Sequence, residues 1–152
     1  RVISGLEAPD SGSLVIGGHM ELSYLFQEDR LLPWLNVYDN MSIGLLKSGG
    51  LPDDISLKDD PVIKMAEALE ISDSLWKLPR QLSGGMRHRA ALGRTFLARA
   101  NVMILDEPFR GLDAPLRSRI IDRLWQKETE TKTVIVITHE PGIFREKTIK
   151  MK

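Results

Sequence analysis

Apolar residues follow two different spacings along the chain. Near-continuous aliphatic runs, Val-Met-Ile-Leu at 102–105 and Val-Ile-Val-Ile at 134–137, are typical of strands buried on both faces of a parallel sheet. Between them, the apolar positions of residues 113–129 recur at the spacing of an amphipathic helix. A strand, a helix and a second strand predict a right-handed βαβ unit. The pattern therefore predicts an α/β fold with a parallel sheet.

The first 27 residues predict further parts of this α/β core. Residues 1–7 have the pattern of the last turn of a helix, with Gly5 at its end. A Pro-Asp-Ser-Gly-Ser turn cluster follows, and short strands are predicted at 13–18 and 21–26.

The middle of the chain is predicted to be mostly helical. Apolar residues at helical spacing predict helices at 36–46 and 60–71, separated by a polar loop over 47–60. Asp60 is a suitable N-cap for the second helix, and Pro61 suits its first turn. A helical insert is therefore expected to interrupt the α/β core.

The composition narrows the class of protein. A chain of 152 residues is large enough for one domain with a real core. Its 21 basic and 21 acidic residues balance, which argues against nucleic acid or an anionic membrane as a partner. The absence of cysteine excludes disulfides and thiolate metal sites. The apolar runs are too short to cross a bilayer and the start lacks a secretory signal, so we expect a soluble globular chain.

Two acidic residues end the first aliphatic run. Asp106 and Glu107 would lie at the carboxyl edge of the sheet, where α/β proteins bind ligands. Asp106 could hold Mg²⁺ directly or through a water, and Glu107 could orient or deprotonate an attacking water. The alternative is a core strand that ends in two solvated acids.

A Ser-Gly-Gly sequence precedes an arginine-rich stretch. Ser83 is predicted to cap a long helix over residues 84–100. The free N–H groups at Gly84 and Gly85, the helix dipole and the missing Cβ atoms would favour a bound anion. The alternative is an ordinary N-cap with a flexible lead-in.

Polar residues also follow two other predicted strands. His139 follows the run at 134–137 and would share the sheet edge of Asp106 and Glu107, where an imidazole could contact a phosphate and a water. Gln27 follows the strand at 21–26 and could reach a metal or a water with its amide. Considered singly, each is more often a surface residue.

Other histidines and arginines are predicted to have no such role. His19 and His88 are expected on the surface. Arg87, Arg89 and Arg94 are expected to form a solvated or subunit-facing stripe on the third helix.

The order and spacing of these residues resemble the nucleotide-binding domain of ATP-binding cassette (ABC) transporters. The matching motifs are the Q-loop, the signature, Walker B, the D-loop and the H-loop, at Gln27, Ser83-Gly84-Gly85, Asp106-Glu107, Asp113 and His139. Residues 25–45 are in particular similar to importers of the nitrate, sulfonate and taurine group. The resemblance covers nearly the whole chain and implies a P-loop-NTPase-like parallel sheet with a helical subdomain.

The resemblance also implies roles at the sheet edge, with ATP and Mg²⁺ as cofactors. Gln27 would sense the metal and water and couple to the membrane subunit. Asp106 would serve Mg²⁺ and Glu107 would be the general base. His139 would hold the γ-phosphate.

Two further roles concern a partner subunit. Ser83, Gly84 and Gly85 would contact the γ-phosphate of ATP bound on the opposite subunit of a head-to-tail dimer, and Asp113 would cross the dimer interface. The implied partners are a second nucleotide-binding subunit and a transmembrane permease. The implied location is the cytoplasmic face of the cell membrane, where the permease holds the subunit.

The resemblance predicts one domain over 1–152, incomplete at both ends. Residues 1–27 and 99–152 would be parts of the α/β core, and residues 28–98 the helical subdomain with the signature. The phosphate loop, Gly-x-x-x-x-Gly-Lys-Ser/Thr, is missing, because the sequence contains no Gly-Lys pair. The chain is expected to begin just after that loop and to bind ATP weakly alone. Its strands at 102–106 and 134–138 are expected to lose sheet neighbours.

Two alternatives stay open at this point. One is a soluble ABC-type ATPase of DNA repair or translation, against which the apolar segment at 30–40 argues, since it suits docking to a membrane subunit. The other is a non-catalytic remnant that offers its signature face to a complete ATPase. The missing phosphate loop favours the remnant, and the retained Glu107 and His139 argue against it.

Overall fold

The structure is a computed structural model that describes residues 2–15, 18–48, 56, 58–125 and 130–140. The predicted strand residues 16 and 17, most of the predicted loop and the end of the predicted helix at 113–129 lie outside these ranges.

A three-stranded parallel sheet forms the centre of the described chain. Its strands are β1 (Leu22–Leu25), β2 (Val102–Asp106) and β3 (Thr133–Ile137), in the order β1-β2-β3. The aliphatic runs therefore form parallel strands, as predicted. The central strand β2 pairs on both sides, so the expectation that it loses neighbours is wrong, whereas β3 pairs with β2 alone among the described residues.

The N-terminal predictions are confirmed only in part. Residues 2–5 form a turn instead of a helix, with Gly5 N–H donating to the Val2 carbonyl (3.0 Å) and Gly5 at φ +71°. Residues 13–15 of the predicted strand at 13–18 are not a strand. Val15 is 87% exposed, and an apolar run forms a strand only where a neighbouring strand offers hydrogen bonds.

Two short helices follow β1. Helix α1 (Val37–Ser42) is capped by Asn36, whose side chain accepts from Asp39 N–H, and it continues as a 3₁₀ helix over Ile43–Ser48. Helix α2 (Pro61–Ala68) begins as predicted, with Asp60 accepting from Val62 N–H (2.7 Å). The side chains of both caps thus satisfy N–H groups that a helix start leaves free.

The long helix α3 (Gly84–Leu97) leads back to the sheet. Its N-cap is Ser83, as predicted, but it ends three residues before the predicted limit, because Ala98 takes an extended conformation that leads towards β2. After β2, Asp113 caps helix α4 (Ala114–Ile120), which continues as a π-helical turn over Ile121–Trp125.

Helix α3 packs against α1, α2 and β1. Close packing is visible at Gly44, where an added Cβ would overlap the carbonyl oxygen of Arg94. The buried core joins both layers and includes Met41, Leu92, Met103 and Leu105. Among the described residues, no helix has the length and apolar character that a membrane span needs.

Candidate functional site

The three strands end at one edge of the sheet. Leu25 lies beside Leu105, and Asp106 lies beside Ile137. Since the strands are parallel, the residues that follow them emerge at the same edge. The structure therefore brings Glu107 and His139 together, with Asp106 at the end of β2 and Gln27 two residues beyond β1.

Glu107 is fixed by the end of β3. Its Oε1 accepts from the backbone N–H of His139 (2.8 Å), and its Oε2 accepts from Thr138 Oγ1 (3.3 Å). Its own N–H donates to the Ile137 carbonyl (2.8 Å). Glu107 also has φ +51°, a left-handed conformation that is uncommon outside glycine and often found at functional sites. Each carboxylate oxygen keeps a lone pair for a further donor such as a water.

The ring of His139 plays no part in fixing Glu107. Its Nε2 lies 3.9 Å from Glu107 Oε1, beyond hydrogen-bond distance, and its side chain is 97% exposed, whereas that of Glu107 is 17% exposed. The imidazole is thus free to meet a ligand above the sheet edge.

The donor set at this edge suits Mg²⁺ held together with a phosphate. Mg²⁺ prefers oxygen ligands and usually binds one or two protein carboxylates, with waters and phosphates completing its octahedron. Asp106 supplies one carboxylate, and Gln27 is an exposed amide at the same edge. Within the described ranges, no three His, Cys, Asp or Glu side chains form a group able to hold a metal by themselves. The residues therefore fit a nucleotide-bound Mg²⁺ and not an all-protein metal cage.

Ser83, Gly84 and Gly85 form the start of α3. Ser83 Oγ accepts from Met86 N–H (3.3 Å). The N–H groups of Gly84 and Gly85 lie in the first turn, where no helical carbonyl precedes them to accept their hydrogen bonds. A Cβ on Gly84 would meet only the Arg87 guanidinium at 3.9 Å. The helix start is therefore open to an approaching anion.

The start of α3 also lies beside the loop that follows Glu107. A Cβ on Gly85 would lie 3.3 Å from the carbonyl oxygen of Gly111, which has φ +73°. Two residues later, the Asp113 carboxylate accepts from Leu116 N–H (2.8 Å) and caps α4, and Asp113 is exposed. The start of α3 is thus a neighbour, within one chain, of the loop that leads to Asp113.

His88 is not a surface residue, and that prediction is wrong. It is 2% exposed, with Nδ1 3.0 Å from Asp29 Oδ1 and Nε2 3.0 Å from the Pro108 carbonyl oxygen. His19 is exposed as predicted. The spacing of His88 with the buried residues Leu92 and Thr95 is helical and could have placed it on the inner face of α3.

The prediction of a solvated or subunit-facing arginine stripe is wrong for Arg89 and Arg94. Arg94 donates to the carbonyl oxygens of Asp29 and Arg30 (3.0 Å each). Arg89 donates to those of Leu69 and Glu70 (3.1 Å each). Burial lowers the pKa of both guanidinium groups. The charge of Asp29 opposes that shift at Arg94, and the charge of Glu70 opposes it at Arg89. Both arginines hold backbone segments together.

A parallel sheet with Asp-Glu at its carboxyl edge, together with a glycine-rich helix start, is typical of a nucleotide-binding α/β domain. Residues 1–110 match the family profile described as ABC transporter. The chain belongs to the ABC transporter family, and its fold is that of the family's nucleotide-binding domain.

Curated relatives include import proteins for several solutes. The chain is 38% identical over 150 residues to a maltose/maltodextrin import ATP-binding protein of Vibrio cholerae, and the match covers 92% of this chain and 39% of the relative. It is 37% identical over 150 residues to a thiamine import ATP-binding protein of Photobacterium profundum, with 92% of this chain and 61% of the relative covered. It is 35% identical over 146 residues to an aliphatic sulfonates import ATP-binding protein of Rhodopseudomonas palustris, with 92% of this chain and 50% of the relative covered. The chain thus spans between 39% and 61% of these relatives.

A solved structure has the same fold. It is a dimeric, post-hydrolysis ATP-binding cassette bound to ADP and Pi, with a TM-score of 0.66 and 26% identity, and the match covers 79% of this chain and 53% of that one.

Proposed function

We propose that this chain is part of an ATP-binding, ATP-hydrolysing subunit of an ABC importer. The observation that carries the proposal is the fixed Glu107, whose carboxylate is held by the residues that end β3 while Asp106 lies next to it at the same edge. The names of the curated relatives, which are import ATP-binding proteins, support the transport role.

At the sheet edge, Glu107 orients the attacking water and accepts its proton. Asp106 and Gln27 hold Mg²⁺, which supplies charge neutralisation on the phosphates when bound. The exposed imidazole of His139 donates to the γ-phosphate.

The signature residues at the start of α3 act on an ATP molecule that a partner subunit holds. Ser83, Gly84 and Gly85 serve ATP held by a second nucleotide-binding subunit, and exposed Asp113 crosses the interface between them. The solved structure of the same fold, a dimeric ATP-binding cassette, supports such an assembly.

We further propose that residues outside these 152 hold the phosphates at the Asp106 edge. The sequence has no Gly-Lys-Ser/Thr, so the amide cradle and lysine of a phosphate loop are not within it. The 152 residues alone then bind ATP weakly and are inactive. In this organisation residues 1–27 and 99–152 belong to the α/β core, and residues 28–98 to the helical subdomain.

The apolar surface of that subdomain meets the permease, which places the subunit at the cytoplasmic face of the membrane. Trp34 and Trp76 are about equally exposed, at 70% and 69%, and Trp76 stacks on Tyr38 with 5.1 Å between ring centroids. Exposed aromatic residues of this kind are enriched at protein interfaces.

The test uses the natural subunit, expressed from its own gene and purified with its partners. We expect co-purification of a membrane permease and Mg²⁺-dependent phosphate release from ATP. Purification with DNA or ribosomes would instead identify a non-transport ATPase. Permease binding without phosphate release at millimolar Mg-ATP would identify a non-catalytic remnant.

A further inference from the structure

His88 joins two loops that the proposed reaction uses. Its ring lies in the interior and contacts Asp29 on one side and the carbonyl of Pro108 on the other. Asp29 comes two residues after Gln27, and Pro108 comes directly after Glu107. One side chain of α3 therefore spans the distance between the loop after β1 and the loop after β2.

The two ring nitrogens of His88 make contacts on opposite sides. The Pro108 carbonyl oxygen can only accept a hydrogen bond, so the ring donates to it through Nε2. Nδ1 lies at hydrogen-bond distance from Asp29 Oδ1. The imidazole is a rigid plane whose two nitrogens point away from each other, so it holds the two contacts at a fixed separation, which a flexible side chain does not.

The loop after β1 has further anchors on α3 and one on the loop after β2. Arg94 donates to the carbonyls of Asp29 and Arg30. Arg87 Nε lies 4.0 Å from Asp29 Oδ2, and Arg110 Nη2 lies 3.9 Å from Asp29 Oδ1. The side chains of Arg87 and Arg110 are 41% and 48% exposed, whereas that of His88 is 2% exposed. Among these contacts of Asp29, the one with His88 is thus the buried link to the Glu107 loop.

We propose that His88 is a positioning residue for hydrolysis, which fixes the loop of Gln27 relative to the loop of Glu107. This proposal rests on the proposed function. Neither hydrogen-bonding partner of the ring, Asp29 or the Pro108 carbonyl, is among the residues proposed to contact ATP. Its effect is on the placement of the general base and the metal-sensing amide, and a small misplacement of catalytic groups is enough to slow a reaction strongly.

The experiment compares His88→Phe with the wild type in the natural subunit, purified with its partners. Phenylalanine fills the space of the ring and removes both ring nitrogens. We expect kcat for ATP hydrolysis to fall roughly tenfold to a hundredfold, because both loops lose their common anchor. KM for ATP should stay within about threefold, since His88 holds loops and not phosphates.

Thr95→Val is the matched control. Thr95 is also buried on α3, and its hydroxyl donates to the Ala91 carbonyl of the same helix, a contact that involves neither loop. We expect this variant to keep kcat within about twofold and to have a melting temperature similar to that of His88→Phe. His88→Gln keeps one amide donor and should recover part of the lost kcat.

A second route to the same link starts from Asp29, which is 15% exposed and whose replacement spares the core. Asp29→Ala should lower kcat, and Asp29→Ala with His88→Phe should lower it no further than the more severe single variant does. If His88→Phe does not fold, Asp29→Ala alone tests the link.

The outcomes separate the two proposals. A wild-type subunit that releases no phosphate overturns the proposed function. An active wild type with His88→Phe or Asp29→Ala at full kcat overturns the positioning role, and so does an equal loss of kcat in Thr95→Val.

Discussion

The backbone N–H of His139 donates to the Glu107 carboxylate over 2.8 Å, across 32 residues of sequence. Because the same carboxylate accepts from Thr138, the position of Glu107 is set by the end of β3. The backbone of the predicted H-loop therefore orients the predicted base, while its imidazole stays exposed.

Glu107→Gln should remove the carboxylate charge at position 107 while it keeps the hydrogen bonds that fix the side chain. The glutamine Oε1 can still accept from His139, and the amide can still donate to Thr138 Oγ1, so the loop keeps its shape. Without a base, we expect single-turnover phosphate release to fall about 10²- to 10⁴-fold. Binding of Mg-ATP by the natural subunit, measured by equilibrium dialysis, should persist. Retention of more than about a tenth of the wild-type rate would contradict a role as general base.

Asp113 has a local role that can be measured apart from any partner. It caps α4 through Leu116 N–H, and the loss of such a cap costs about 1 kcal/mol. Asp113→Ala should lower the free energy of unfolding by that amount in urea titrations. Asp113→Asn retains a capping oxygen and should be close to wild type. Equal losses in the two variants would show that capping is not the cause, and lower hydrolysis in a stable Asp113→Asn would support the interface role.

Gly44→Ala should destabilise the packing of the 3₁₀ helix on α3. The new methyl group would overlap the backbone oxygen of Arg94 and lie 3.2 Å from Ala98 N. Backbone atoms cannot rotate away, so we expect a loss of about 1–3 kcal/mol. Gly84→Ala is the control, since its methyl group would meet only the end of Arg87 at 3.9 Å. Thermal unfolding of both variants tests the difference, and equal melting temperatures would argue against the close contact.

Tyr38 should make stability depend on alkaline pH. Burial, followed by its hydrogen bond to Asp60 (2.6 Å), raises the pKa of Tyr38 from 10.0 to about 12. Below pH 10 the phenol is neutral in both the folded and unfolded chain, so its contribution to stability is fully present. Between pH 10 and about 12 the unfolded chain loses the proton first, and that contribution is lost.

Tyr38→Phe is the matching control because it keeps the ring against Trp76. Urea midpoints measured across this pH range should fall less steeply for the variant than for the wild type. Parallel slopes for the two proteins would contradict a raised pKa at Tyr38.

The sequence was informative where structure depends on local pattern. The runs that form β2 and β3, and the caps Asp60 and Ser83, follow from the identity and spacing of neighbouring residues. The meeting of Glu107 and His139 at one edge follows from parallel pairing alone. The roles of these residues in catalysis stay predictions.

The errors concern contacts between distant residues. His88 lies 59 residues from Asp29 in sequence. Arg94 lies 65 residues from Asp29 and donates to its backbone carbonyl, a contact that no sequence pattern predicts. The strand prediction is wrong at residues 13–15 for a different reason. Their apolar pattern suits a strand, but no described strand lies beside them. Local patterns predict what a segment can form, and only the assembled chain supplies its partner.

The position of Asp29 among two arginines and an imidazole constrains how this family member can evolve. Replacement of Arg87, His88 or Arg110 leaves the carboxylate with two of its three neighbours, whereas replacement of Asp29 removes the carboxylate that all three share. Since positions 29 and 88 act through one buried contact, a change at either position should favour a change at the other. In homologues, a neutral residue at 29 should accompany a different residue at 88, so two positions that lie 59 residues apart in sequence are expected to vary together.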